Sequence, residues 1–322
     1  MKTLKLLSFV LLGMMTALVT SCSNDSGGGS LDTPALEEAS ALYRITDTNA
    51  DYSSIEFTAS GNYIITKNAA SSYAPRRIAA VGKRTFGFIP QLAGITRSSD
   101  DLGDDGVIYG RYTKNGDTYT LEGFGTITIV GGGSNAVELD ITRNDGTKMS
   151  VGAQKQSQYS SSDKTNRLCR TWEFAKIRVR ASGGGESYDR TYNDYGDFIK
   201  AMWAMEGFDE SDSYYETEYK EMMAEKPEQV IFTKSGTYVV KYSNGTLAVS
   251  TWAWQDEAKG IARYSWSYDT LYSPDDSGEL NVSFEGSQLV ITENWLDEYD
   301  EEEMAEYGDI SATITYYMKE VK

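Results

Sequence analysis

Histidine is absent from this chain of 322 residues, and cysteine occurs only twice. Without an imidazole there is no Ser-His or Cys-His activation of a nucleophile, and the usual zinc sites lose their nitrogen ligand. Basic residues are also scarce: 30 Lys and Arg stand against 48 Asp and Glu, for a net charge of −18. Such a surface repels nucleic acid, so none is expected as a partner. No phosphate-binding glycine fingerprint occurs between a strand and a helix; Gly131-Gly132-Gly133 joins two β-rich runs and reads as a loop. Carboxylates abound, yet nothing brings two particular ones together as a paired-carboxylate hydrolase requires. Asp100-Asp101-Leu102-Gly103-Asp104-Asp105-Gly106 fails calcium-loop spacing, because counting from Asp101 puts Gly103 third and Tyr112 twelfth. Asp297–Glu303 is a charge run that reads as solvated surface. These absences argue for a non-catalytic chain with no cofactor and no metal.

What is present begins at the amino terminus. Lys2 and Lys5 precede an apolar run from Leu6 to Val19, too short to span a bilayer comfortably but suited to a secretory signal peptide. Val19-Thr20-Ser21-Cys22 follows, and it resembles the lipobox of bacterial lipoproteins. The resemblance implies cleavage after residue 21, a diacylglycerol on the Cys22 thiol and an acyl chain such as palmitate on the new amino terminus. Two or three acyl chains hold a protein on a membrane without a spanning helix, at about 0.8 kcal/mol per buried CH₂. Residues 22–34 are polar and glycine-rich, the composition of a flexible tether. The expected location is the cell envelope, in the outer membrane, with its periplasmic or surface face left open. Cys22 being consumed by lipid, Cys169 stands alone next to Leu168, and no internal disulfide is possible. A small buried hydrophobe is its expected role.

An internal repeat organises the rest. Phe57-Thr58-Ala59-Ser60-Gly61-Asn62-Tyr63-Ile64-Ile65 recurs as Phe232-Thr233-Lys234-Ser235-Gly236-Thr237-Tyr238-Val239-Val240. Ser-Gly supplies a tight turn between strand formers. Asn115-Gly116 and Asn244-Gly245 mark a second hairpin in each half, and a two-residue turn at the first sets Tyr112 opposite Tyr119. Residues 154–165 lack periodicity and read as a linker between a β domain at 35–153 and another at 166–322. The charge is uneven: residues 23–160 carry −4 and residues 161–322 carry −16.

Leu168-Cys169-Arg170-Thr171-Trp172-Glu173-Phe174 resembles the first strand of lipocalin-like domains in Bacteroidetes-type lipoproteins, with Arg170 where that family carries glycine. The Phe232–Val240 hairpin, the Gln288–Thr292 strand and the closing Thr313–Tyr317 strand are similar to the same family. The resemblance implies an all-β chain of two antiparallel β-barrel-like (lipocalin-like) domains, often built around a cavity; it names no ligand. The β pattern breaks at 197–226. Phe198, Met202 and Met205 share one helical face, and Ser213 with Glu216 forms a capping pair before Tyr219, Met222 and Met223. This helical insert in the second domain is either a lid over the barrel or a buttress on it.

The aromatics supply candidate binding residues. Trp252 and Trp254 alternate on one strand, and Tyr264, Trp266 and Tyr268 on the next, so each set occupies one face. Lining a cavity, that face would stack on a sugar ring or an apolar ligand; pointed at the core, it is packing. Lys176, Arg178 and Arg180 share another strand face, where they either meet an anionic ligand or neutralise nearby carboxylates. Two functions remain open: a lipid-anchored envelope protein that binds a small apolar or glycan ligand, or a structural lipoprotein with filled barrels that contacts other envelope components.

Overall fold

A computed structural model describes residues 40–67, 107–131, 135–159, 161–183, 186–205, 219–220, 223–224, 226–245, 247–265, 277–294 and 311–321. The first half closes into an eight-stranded antiparallel barrel: β1 Ala41–Ile45, β2 Tyr52–Phe57, β3 Asn62–Lys67, β4 Val107–Asn115, β5 Thr118–Leu121, β6 Gly125–Val130, β7 Ala136–Arg143 and β8 Lys148–Lys155. Strand alternation sends Tyr43, Ile55, Phe57, Tyr63, Tyr119, Ile127 and Leu139 inward to a single core. Closure comes from β8 returning to β1, with Tyr43 opposite Lys155 and Ile45 opposite Ala153.

The second half repeats the strand order with one addition. After the short helix α1 (Asp163–Leu168) comes β9 (Thr171–Gly183), then β10 (Glu186–Tyr192) and helix α2 (Tyr195–Met205). Seven further strands follow: β11 Pro227–Phe232, β12 Thr237–Tyr242, β13 Leu247–Asp256, β14 Ile261–Ser265, β15 Ser277–Glu285, β16 Gln288–Asn294 and β17 Ser311–Glu320. β17 pairs with β9 along nearly its whole length and closes the barrel. β9 is long enough to serve two partners on its other side, β11 through Thr171–Glu173 and β10 through Ile177–Gly183. The two β domains expected from the sequence are thus closed antiparallel barrels, the second carrying the helical insert.

The repeated hairpins match bond for bond. Thr58 N donates to Asn62 O at 2.8 Å and Gly61 N to Thr58 O at 3.1 Å; Thr233 N donates to Thr237 O at 2.9 Å and Gly236 N to Thr233 O at 3.1 Å. Each threonine hydroxyl also accepts from the backbone N–H four residues on, at 3.0 Å in both. Gly61 and Gly236 have φ of 78° and 83°, a left-handed conformation that a side chain disfavours. The first Asn-Gly hairpin departs from the expected register. There, Asn115 pairs with Thr118, so Gly116 and Asp117 are the two central residues and Tyr112 lies opposite Leu121, not Tyr119. The glycine takes the first central position of the turn with φ 59°, which moves the turn along by one residue and the partner of Tyr112 by two. The Tyr112 and Tyr119 rings still meet at 5.5 Å, as inward diagonal neighbours. At the second, β12 ends at Tyr242 and β13 begins at Leu247, as expected, with Lys241 opposite Leu247.

The segment expected as a featureless linker is held at several points. Lys155 belongs to β8, and Gln156 N donates to Leu42 O at 2.8 Å. Tyr159 N donates to Lys234 O at 2.8 Å, with its ring 5.0 Å from that of Trp252. Ser162 then caps α1, its hydroxyl accepting from Thr165 N. Such ties join residues distant in sequence and leave no periodicity to read.

The barrels meet at equivalent positions of the repeat. Ile64 of β3 and Val239 of β12 correspond in the repeat and are buried together with Ile231. Val107 and Tyr109 of β4 pack there with Leu247 and Val249 of β13, their counterparts by strand register. A surface that meets its own counterpart is the geometry of an isologous interface, here within one chain.

Candidate functional site

Of the aromatic face foreseen on β13 and β14, the described part, Trp252, Trp254 and Tyr264, comes together. Trp252 lies directly opposite Tyr264, and the Trp252 and Trp254 rings meet edge-on at 5.5 Å. It points into the second barrel. Trp252 is 0 % exposed and Tyr264 is buried in the same cluster as Phe232, Tyr238 and Tyr316. Trp254 is half-buried, its Nε1 donating to Thr165 Oγ1 of α1 at 2.9 Å. Trp266 and Tyr268 lie outside the described residues, as do Cys22, the two acidic runs at 100–106 and 297–303, and the insert's Ser213 and Glu216.

The first barrel explains what Trp252 does. Tyr112 follows the first hairpin as Trp252 follows the second: Tyr112 N donates to Gly61 O and Trp252 N to Gly236 O. The Tyr112 hydroxyl donates to Thr58 O at 3.0 Å, and the Trp252 indole N–H donates to Thr233 O at 3.0 Å. Both rings meet the repeat's phenylalanine edge-on, Phe57 at 5.2 Å and Phe232 at 5.7 Å. Each barrel therefore uses one large aromatic to fasten its hairpin to the strand that follows it, β4 or β13, which satisfies the ring's polar atom inside the core.

Both ends of the second barrel are occupied. At one, Leu168 of α1 is wholly buried, its carbonyl accepting from Trp172 Nε1 at 2.9 Å. Glu257, in the β13–β14 turn, accepts from the hydroxyls of Ser162 and Thr165, and these bonds, Ser162 first, hold its carboxyl below the ordinary range. At the other, α2 buries Tyr195, Phe198 and Ile199 in the barrel core. It starts two residues before the expected Asp197 because Asp194 caps it, Oδ1 accepting from Gly196 N at 2.8 Å. Tyr219 and Met223 pack over Gly196, where a side chain would collide with the tyrosine hydroxyl. Of the two roles open to the insert, the described helix α2 packs as a buttress.

A cavity of about 330 Å³ opens where β9 changes partner. Residues 174–176 lie between the part of β9 paired with β11 and the part paired with β10. Phe174, Tyr192 and Pro227 provide apolar surface, and Glu173, Lys226 and Glu228 charge. Two other charged residues that line it are already engaged: Asp194 in capping α2, and Lys176 over the Tyr317 ring at 4.1 Å. Sequence reasoning missed this site, for the strand fork that creates it has no local signature. Farther along β9, the Arg178 guanidinium takes both oxygens of Asp189 at 2.7 and 2.6 Å, and Arg180 approaches the same carboxylate at 3.5 Å. These cations thus serve a carboxylate of the neighbouring strand.

Cys169 is buried, and desolvation pushes its thiol up, opposite to what a nucleophile needs. Among the described residues no three Cys, Asp or Glu side chains come together as metal ligands, and no helix is long and apolar enough to cross a membrane. No family model matches the chain, and no curated protein matches it.

Proposed function

We propose that this chain is a lipid-anchored, non-catalytic protein of the bacterial cell envelope, held in the outer membrane through acylated Cys22, whose two filled barrels form a rigid body for contact with other envelope components. The Lys2–Cys22 segment supports the anchor, since charge, apolar length and lipobox-like flank occur together. The observation that carries the choice between scaffold and container is Trp252. It is fully buried in the core of the second barrel, its indole N–H committed to Thr233 O, and so presents no ring face to a ligand. On this reading the lipocalin-like resemblance concerns architecture, with both barrels filled by side chains where a carrier of that kind is hollow.

Two measurements test the reading. Intact mass of protein made in a lipoprotein-processing bacterial host should show a diacylated or triacylated amino-terminal cysteine, lost in Cys22→Ser. Native mass spectrometry of the 35–322 body, incubated with fatty acids and short glycans, should show no stoichiometric ligand that quenches Trp252. An unmodified amino terminus overturns the anchor, and a quenching ligand overturns the filled scaffold. The cavity beside β9 supports a second reading, a small-ligand site outside the barrel core, since its volume falls at the lower end of the ~300–1,000 Å³ common for such sites.

A further inference from the structure

A carboxylic acid lies at the meeting of the two barrels. Glu56 is on β2 between Ile55 and Phe57, which both face the first core, so its side chain points outward. It is nevertheless only 2 % exposed. The covering comes from the second barrel: its carboxyl faces the hydroxyls of Thr233, Ser235 and Thr237 in the β11–β12 hairpin. Glu56 Oε1 and Ser235 Oγ are both buried without a hydrogen-bond partner. The repeat sharpens the anomaly, for the residue at the same place in the second barrel is Ile231, part of the apolar joint.

A carboxylate shut away from water needs a counter-ion or a full set of donors. Among the described residues Glu56 has no ion pair. Burial, the largest influence, raises the carboxyl above its ordinary range; the hydroxyls of Thr233, Thr237 and Ser235, in that order, favour the charged form, Arg44 on β1 does so least, and together they do not offset the burial. Lys234, in the hairpin, turns its ammonium to Ser161 Oγ at 3.2 Å. Cys169, whose thiol senses Glu56, stays protonated, and Tyr109 in the joint is pushed up to about 12. That thiol and that phenol stay uncharged across the neutral range. Protonation supplies what the site lacks: it removes the charge and gives the carboxyl a proton to donate to an unpartnered hydroxyl oxygen. We propose that the joint between the barrels is a proton-operated latch, closed when Glu56 is a neutral carboxylic acid donating into the Thr233–Thr237 hairpin and loosened when it ionises.

The sign follows from linkage. A carboxyl raised in the folded state contributes stability that is complete below its unfolded value, about 4.3, and is lost as pH rises through the folded value. Glu56→Gln keeps the shape and a donor but cannot ionise. On the full chain, the melting midpoint of Glu56→Gln should exceed that of wild type by about 2–4 °C at pH 8, and the gap should close by pH 4. Glu56→Ile, which installs the second barrel's own residue, should show the same pH-dependent gap. Infrared spectra of ¹³C-glutamate-labelled wild type minus Glu56→Gln should contain a protonated carboxyl band at pH 6 that fades on raising the pH. A gap that is flat with pH overturns the latch, as does the absence of that band at pH 6.

Discussion

The two barrels share a strand order and a hairpin, and they part company at a single connection. In the first, β1 reaches β2 through residues 46–51, and that short loop is tied to the barrel's last strand, Asp47 Oδ2 accepting from Gly152 N at 2.8 Å. In the second, the same connection carries β10 and α2. A longer connection frees β9 to change partners and supplies a helix for the barrel's end. The difference teaches which features belong to the repeated unit and which were added. The Thr-x-Ser-Gly turn and the aromatic that bonds back to its threonine carbonyl belong to the unit, since Tyr112 and Trp252 do the same work. The fork cavity and the stoppering helix belong to the insertion alone.

Substitutions can break this comparison at graded cost. Trp252→Ala and Tyr112→Ala should each destabilise their own barrel by about 3–5 kcal/mol, as truncation of a large buried aromatic does. Denaturant unfolding followed by amide exchange should locate each loss in one barrel; an exposed ligand-binding tryptophan would cost far less. Phe198→Ala should cost about 3 kcal/mol and raise exchange in the second barrel only, because α2 has no counterpart in the first. A helix that merely gates would leave the barrel's exchange unchanged.

Smaller effects test the repeat itself. Gly61→Ala and Gly236→Ala should each cost about 1–2 kcal/mol, both residues being left-handed; a large inequality in thermal unfolding would argue against equivalent turns. Ser162→Ala should cost about 1 kcal/mol by uncapping α1 and removing one of the two hydroxyls that donate to Glu257. Glu257's carboxyl is held low when folded, so its contribution is present above the unfolded value and lost as pH falls through the folded one. The difference between wild type and Ser162→Ala should therefore shrink in acid, in the opposite sense to Glu56→Gln. Smallest is Tyr112→Phe, about 0.5–1.5 kcal/mol, because Thr58 O keeps the Gly61 N–H as a second donor.

Much of this architecture was legible along the chain. Strand periodicity, the nine-residue repeat and its Ser-Gly turns are local patterns, fixed by side-chain alternation and by the φ that glycine alone takes easily. The alternation of Trp252 with Trp254, and of Tyr264 on the facing strand, sufficed to place these aromatics together on one face. Alternation names a face and leaves its direction open, so whether that face met a ligand or the core depended on the closure of β17 onto β9. Helical spacing around Phe198 likewise gave a helix without its target, and the Asn115-Gly116 pair gave a hairpin without its register. The fork beside β9, the fastening of residues 156–166 and the burial of Glu56 came from tertiary structure alone. Each depends on which distant segment comes to lie alongside, and such partners are chosen by the packing of whole barrels, where a carboxyl that reads as one more surface charge can end up sealed under a neighbouring hairpin.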